Sequence, residues 1–211
     1  MRVIAIDGPA GSGKSTVARR LAERLDLPYL DTGAMYRAVA FAALRRGLDP
    51  DEAEPVARMA RELVIDLDGS GVRVDGVDAT VEIRGPEVTR AVSAVAANPS
   101  VRAELVRRQR DWVEARGGAV VEGRDIGTVV FPDASFKAYL TARLEVRAGR
   151  RHLEVTDTAY ETVAADLARR DTTDSARVDS PLLCSDDAVH VDTSDRDVDA
   201  IVEELVERLK G

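Results

Sequence analysis

Three features of the sequence predict an α/β fold built on a parallel sheet. The run Gly8-Pro9-Ala10-Gly11-Ser12-Gly13-Lys14-Ser15-Thr16 fits the pattern G-x-x-x-x-G-K-[ST]. It stands between a β-branched run, Val3-Ile4-Ala5-Ile6, and apolar residues at helical spacing, Val17, Ala18, Leu21, Ala22 and Leu25. Beyond it, short apolar runs alternate with helical patterns along most of the chain, which implies parallel strands with helices on both faces. The expected architecture is a P-loop NTPase fold: a five-stranded parallel sheet with helices on both faces, a small antiparallel β insert and a short lid.

The elements follow in order. A strand over Val3–Asp7 leads through the glycine loop into a helix over Lys14–Leu25. Pro28–Asp31 reads as a second strand. Gly33–Arg46 reads as a helix that Gly47 ends as a C-cap. Asp49-Pro50-Asp51 reads as a cap followed by Pro at the first helical position, opening a helix toward Leu63 that Pro55 disturbs. The period then changes to short runs, Val64–Leu67, Val72–Val74 and Val77–Val81, separated by Asp68-Gly69-Ser70-Gly71 and Asp75-Gly76. Asp-Gly between β-formers signals a hairpin, so an antiparallel sheet is inserted here. Helices are expected over Pro86–Ala97 and Pro99–Arg116, broken at Asn98-Pro99. Strands follow over Ala119–Glu122 and Phe136–Leu140, helices over Leu144–Leu153 and Ala159–Arg170, a strand over Ala188–Asp192, and a closing amphipathic helix over Val198–Leu209. The chain reads as one domain with a core (about 1–62, 99–143 and 186–211), an insert (about 63–98) and a lid region (about 144–185).

Composition narrows the function classes. With 211 residues, 45% hydrophobic and 32% charged, the chain has the make-up of a globular α/β domain. No stretch approaches the ~20 apolar residues of a membrane span, and with the phosphate loop so near the first residue no leader peptide is expected. Cys184 is the sole cysteine, which excludes an internal disulfide or a cysteine metal cluster. A cytoplasmic location is expected. The net charge of −8 argues against general affinity for nucleic acid or anionic membrane. Of 30 basic residues only Lys14, Lys137 and Lys210 are lysines. Compositional bias accounts for most of the arginines, and phosphate clamping, which suits the guanidinium fork, for a handful.

The glycine loop carries specific chemistry. Glycines allow successive backbone N–H groups to curl round a phosphate, and the helix N-terminus adds its positive dipole end. Lys14 is expected at the β- and γ-phosphates, and the Ser15 hydroxyl on Mg²⁺. Ligands of such sheets bind beyond the carboxyl ends of the strands. Two strand ends carry an arginine there, in Asp31-Thr32-Gly33-Ala34-Met35-Tyr36-Arg37 and in Glu122-Gly123-Arg124-Asp125-Ile126-Gly127. Both are expected to face the loop across one cleft. Arg169–Arg177 adds three arginines and two aspartates. Phosphoryl transfer needs charge neutralised on the transferring oxygens and on the acceptor, which convergent arginines and Mg²⁺ supply.

These segments, with the run Gly123-Arg124-Asp125-Ile126-Gly127-Thr128-Val129-Val130-Phe131-Pro132 and the hairpin insert, resemble the bacterial cytidylate kinase family over essentially the whole chain. The resemblance implies ATP and Mg²⁺ as cofactors, CMP or dCMP as acceptor, and a monomer without nucleic-acid or membrane partners. It implies that Gly8 through Thr16 hold the ATP phosphates and that Tyr36, Arg37, Arg124 and Arg177 surround the CMP phosphate. Ser93, Arg102 and Asp125 would read the cytosine edge, and Arg170 and Asp174 would contact the ribose. Thr32 stands where the family often has Ser, with a small effect expected on sugar contacts. Arg147, Arg150 and Arg151 resemble lid arginines, and Arg147 and Arg151 are expected to be catalytic beside Lys14 and Arg124.

Plainer roles exist for several of these residues. Ser93 sits in an alanine-rich helix that tolerates serine. Arg102 shares a helix with Arg107, Arg108 and Arg110, whose default is a solvated face. Asp125 could pair with Arg124, Asp174 could cap a helix, and Tyr36 could be core. His152 and His190 are too isolated for a metal site, and Trp112 reads as packing. Two rival functions are a kinase for another small acceptor, against which the hairpin and the Gly123 run argue, and a GTP-binding switch. The switch needs D-x-x-G and N-K-x-D. Asp66–Gly69 matches the first, but Asn98 is the sole asparagine and Pro99 follows it. A switch would also retain its nucleoside diphosphate tightly, whereas a kinase releases it.

Overall fold

A computed structural model describes residues 1–68, 71–154, 159–177 and 180–210. The element order is β1 (Arg2–Asp7), α1 (Lys14–Leu25), β2 (Tyr29–Asp31), α2 (Thr32–Arg45), α3 (Ala53–Glu62), β3 (Ile65–Asp68), β4 (Gly71–Val74), β5 (Val77–Asp78), a 3₁₀ turn (Glu82–Arg84), α4 (Pro86–Ala97), α5 (Pro99–Glu114), β6 (Gly118–Gly123), a π-helical turn (Ile126–Val130), β7 (Phe136–Thr141), α6 (Leu144–Glu154), α7 (Tyr160–Ser175), β8 (Val189–Asp192) and α8 (Val198–Arg208). The five-stranded sheet runs β2-β6-β1-β7-β8, and β3-β4-β5 form a separate three-stranded sheet. The chain divides into two compact units, residues 1–30 with 113–211 and residues 31–112.

In the first unit β1 lies between β6 and β7, parallel to both, and β8 continues the sheet parallel to β7. Side chains alternate along a strand. Ile4, Ile6, Val120, Ala138, Leu140 and Val191 therefore share one face. They bury themselves with Val17, Ala18 and Leu21 of α1 and with Ile201, Val202 and Leu205 of α8. The apolar residues of α1 recur at positions i, i+1, i+4 and i+5, the stripe a helix needs to cover a sheet. Val3, Ala5, Ala119 and Val121 on the other face are buried as well, so these strands read as continuous apolar runs rather than alternating ones.

In the second unit α2 is the central helix, packing against α3, α4, β4 and the 3₁₀ turn. Asp31 caps α2 by accepting the Ala34 N–H at 2.9 Å, and Gly47, with φ of 67°, ends it. Asn98 caps α5 by accepting from the N–H groups of Ser100 and Val101, with Pro99 at the first position. Arg108 donates to the carbonyls of Ala60, Arg61 and Leu63, satisfying the C-terminal end of α3.

Several boundaries differ from expectation. Asp49-Pro50-Asp51 is not a helix cap. The Asp49 side chain accepts the Asp51 N–H and its carbonyl accepts that of Glu52, a local turn, and α3 begins at Ala53. Pro55 falls in the first turn of α3, where its missing N–H had no helical partner to lose. The run Val77–Val81 pairs only over Val77–Asp78, because the Asp78 carboxylate accepts from the Thr80 N–H and hydroxyl and turns the chain out of the ladder. The Asp75-Gly76 hairpin has positive φ at both residues, the geometry of a type I′ turn. Residues 69 and 70 of the other expected turn, and residues 155–158 and 178–179 of the lid region, lie outside the described residues. Helix α7 runs on to Ser175, so the polar Arg169–Asp174 segment is helical.

Candidate active site

The phosphate loop joins β1 to α1 in the first unit. Gly8 has φ of 150°, and a Cβ there would lie 2.1 Å from the Leu140 carbonyl oxygen of β7. The loop can leave the sheet this close to its neighbour only as glycine. Gly11 packs on the Cβ and carbonyl oxygen of Arg147, and Gly13 takes the left-handed conformation at the start of α1. No side chain caps α1 and no acidic residue stands in its first turn, which leaves its N-terminal N–H groups to an anion. Lys14 is nearly buried and donates to the Pro9 carbonyl at 3.3 Å. Ser12 is fully buried, and its hydroxyl has no partner among the described residues.

Glu122, near the end of β6, is 2% exposed and accepts from the Ser15 hydroxyl at 2.8 Å and from the Tyr29 hydroxyl. The Ser15 side was expected to hold a cation. An all-oxygen pair of this kind suits a hard divalent ion bound with a nucleotide, which needs only one or two protein ligands. No three His, Cys, Asp or Glu residues converge as a metal cage among the described residues.

Arg124 follows β6. Its Nε donates to Asp174 Oδ2 at 2.9 Å and a terminal nitrogen donates to the Gly8 carbonyl at 2.9 Å. Arg177 donates to the other Asp174 oxygen. Arg124 thus bonds to Asp174, and Asp174 lies near the C-terminal end of α7, where it caps no N-terminus. Burial works to raise the Asp174 carboxyl, but the charges of Arg124 and Arg177 and the bond from Arg124 outweigh it and hold it below the usual range. Arg170 stands beside them. Burial, then the charge of Arg124, lowers its guanidinium to about 10, and its buried Nε has no hydrogen-bond partner among the described residues. Arg124, Asp174 and Arg177 thus form one bonded group, and Arg170 feels the charges of Arg124, Asp174, Arg151 and Asp171.

The three lid arginines are held differently. Arg147 is buried. It donates to the Ala142 and Ala10 carbonyls and pairs with Asp171 of α7 at 2.7 Å. Arg150 donates to the Thr193 hydroxyl and carbonyl, and that hydroxyl donates to the Ser12 carbonyl. Arg151 pairs with Glu154 at 2.6 Å.

In the second unit the Arg102 guanidinium lies 5.5 Å over the ring of Tyr36 and donates to the Ala96 carbonyl. At 5% exposure it is not part of the solvated face that Arg107 forms with Glu104 and Asp111. Arg37 donates to the Ile83 carbonyl and the Thr89 hydroxyl. Thr32 is buried at the first position of α2, and Ser93 is half-buried on α4. Asp125 is buried between Arg124 and the π-helical turn. Sequence reasoning missed Asp7, Glu122, Asp171 and Thr193. For the first two a signal was present: each is a lone carboxylate at or near the end of an apolar buried strand.

Comparisons with known proteins give the family and the fold. The family model for cytidylate kinase matches residues 4–211. A curated cytidylate kinase of Caldanaerobacter subterraneus subsp. tengcongensis is 46% identical, covering 98% of this chain and 94% of that protein. One of Mycolicibacterium paratuberculosis is 49% identical, over 96% and 92%. Among solved structures, a shikimate kinase of Bacteroides thetaiotaomicron (TM-score 0.51, 11% identity, covering 100% of this chain and 99% of that one) and one of Acinetobacter baumannii (TM-score 0.50, 14% identity, 100% and 93%) share the fold. A phosphate loop on the parallel sheet, arginines gathered beyond β6 and a full-length family match leave one assignment: the chain belongs to the cytidylate kinase family.

Proposed function

We propose that the chain transfers the γ-phosphoryl group of ATP to CMP or dCMP, giving ADP and CDP or dCDP. The observation that carries the mechanism is the bond from Arg124 to the carbonyl of Gly8, the first loop residue, within a group that also holds Arg170 and Arg177. Arginines that meet a phosphate loop in this way can neutralise both the donor and the acceptor phosphate. The attacking group is an anionic phosphate oxygen, so no strong general base is needed.

Gly8 through Thr16 hold the ATP phosphates, with Lys14 on the β- and γ-phosphates. Ser15, its hydroxyl oriented by Glu122, would hold Mg²⁺, which would supply charge neutralisation on the phosphates. Tyr36, Arg37, Arg124 and Arg177 take the CMP phosphate. Ser93, Arg102 and Asp125 read the base, and Thr32, Arg170 and Asp174 take the sugar. Arg151 acts on the transferring phosphate, because its charge joins the group around Arg170. Arg147, packed on Gly11 and bonded to Ala10, acts on the loop. The protein works as a cytoplasmic monomer.

The test is ADP formation from MgATP with CMP, dCMP, UMP, AMP, GMP or no acceptor. Strong turnover with CMP and dCMP, weak with UMP and none with AMP is the expected result. Preference for another acceptor overturns the base assignment, and equal turnover without acceptor overturns the transfer itself.

A further inference from the structure

Asp7 is the last residue of β1, directly before the phosphate loop, and is 6% exposed. A carboxylate buried at the end of a core strand is costly unless it is fully bonded. Its Oδ1 accepts the Ile126 backbone N–H at 2.9 Å and its Oδ2 accepts that of Gly127 at 2.8 Å. These are the first two residues of the π-helical turn, whose own preceding residue, Asp125, makes no side-chain cap bond. Asp7 therefore supplies, from another strand, the cap this turn lacks. Single π-turns of this kind gather at functional sites.

The neighbouring residue completes the arrangement. The Gly8 carbonyl accepts from the Arg124 guanidinium. The dipeptide Asp7-Gly8 thus grips the segment Arg124–Gly127 at both ends, by the guanidinium before Asp125 and by the two amides after it. The segment lies close against β7 at its far end, where a Cβ at Gly127 would come within 3.0 Å of the Lys137 stem. We propose that Asp7 is a positioning residue for the acceptor nucleotide: its ionised carboxylate fixes Arg124 and Asp125 in register with the phosphate loop. The roles of those two residues rest on the kinase reading; the brace itself rests on geometry.

The groups around Asp7 decide when the brace holds. Burial is the largest influence and pushes its carboxyl up to about 6 against the two amide bonds; the charge of Asp125 also raises it and that of Lys14 lowers it. Cys184 and Tyr139 feel the charge of Asp7. Lys137 passes close by, but its ammonium is held by Asp187 at 2.9 Å. Protonation replaces an acceptor by a hydroxyl facing an N–H group, so one of the two bonds is lost.

The experiment compares the full-length wild type with Asp7→Asn. It measures amide hydrogen exchange at Ile126 and Gly127, KM for CMP and for MgATP, and the pH profile of kcat/KM for CMP. The expected result is a loss of protection of roughly tenfold or more at the two amides and a rise in KM for CMP of similar size, the scale of a small misplacement of positioning groups. KM for MgATP stays within about twofold, since the loop's own bonds are intact, and the acid limb near pH 6 is absent in the variant. A folded Asp7→Asn protein with wild-type KM for CMP, or one that keeps the acid limb, overturns the proposal. Should the variant fail to fold, the wild type alone decides: protection of these two amides relative to Val129 must fall between pH 7.5 and 5.5, and a constant ratio overturns the brace. Absence of CMP turnover in the wild type would defeat the kinase reading, while the amide protections would still report on Asp7.

Discussion

Asp174 binds the guanidinium of Arg124 through one carboxylate oxygen, at 2.9 Å, and that of Arg177 through the other. Two of the three arginines proposed for the acceptor phosphate are therefore neutralised by an aspartate of the protein. An incoming phosphate must share or displace this carboxylate, and the site stays organised without it. Asp174→Ala leaves two largely buried guanidinium groups without their shared partner, and a loss of about 3–5 kcal/mol in urea unfolding is expected. Where the protein stays folded, inorganic sulfate should inhibit the variant more tightly than the wild type, because the carboxylate no longer competes with it for the arginines. Equal inhibition would show that Asp174 does not compete with anions for these arginines.

Two carboxylates give the pH dependence of stability opposite signs. Asp174 lies below its ordinary range when folded, so its stabilisation is full above about pH 4 and is lost as the pH falls through its folded value. Asp7 is raised from 3.8 to about 6. The native state holds that proton more tightly than the unfolded chain, so its contribution is full below 3.8 and is lost as the pH rises through about 6. The span corresponds to roughly 3 kcal/mol. Denaturant unfolding of wild type and Asp7→Asn from pH 4 to 7.5 should show their difference shifting in favour of the variant as the pH rises. A pH-independent difference would contradict it.

Lys14→Ala and Arg124→Ala should each lower kcat/KM by at least ~10², the scale of one lost preorganised donor at a developing charge. Steady-state rates with MgATP and CMP test this, and near-wild-type turnover in Arg124→Ala would defeat the clamp.

Arg147 and Arg151 should separate in a KM-against-kcat comparison. Arg147 binds the Ala10 carbonyl and Asp171, so Arg147→Ala should raise KM for MgATP and lower thermal stability. Arg151 has only the exposed Glu154 as an ion-pair partner among the described residues, so Arg151→Ala should lower kcat with little change in Tm. The reverse pattern would exchange the two roles.

Gln109 of α5 is fully buried, and neither its amide oxygen nor its nitrogen has a hydrogen-bond partner among the described residues. An unsatisfied buried amide costs about 1–3 kcal/mol. Gln109→Met, of similar shape, should therefore raise Tm by a few degrees at unchanged kcat, since about 1 kcal/mol is worth roughly 2–4 °C in a chain of this size. A lowered Tm would show that the amide is satisfied in solution.

The phosphate loop, the alternation of strands and helices, the hairpin insert and the family were all legible in the sequence, because each depends on local chemistry. Glycine at a fixed spacing, apolar periodicity and Asp-Gly turns act within a few residues of themselves. The boundaries that moved did so for local reasons as well, an Asx turn at Asp49 and another at Asp78. What only the tertiary structure decided is which charges meet. Nothing in the spacing of Arg124 and Asp174, or of Asp7 and Gly127, distinguishes a partner from a solvated neighbour. Arg102 and Arg107 lie on one helix, yet the first is buried over Tyr36 and the second is exposed. Coulomb energy and desolvation depend on distance and burial between residues far apart in the chain, and folding sets those two quantities.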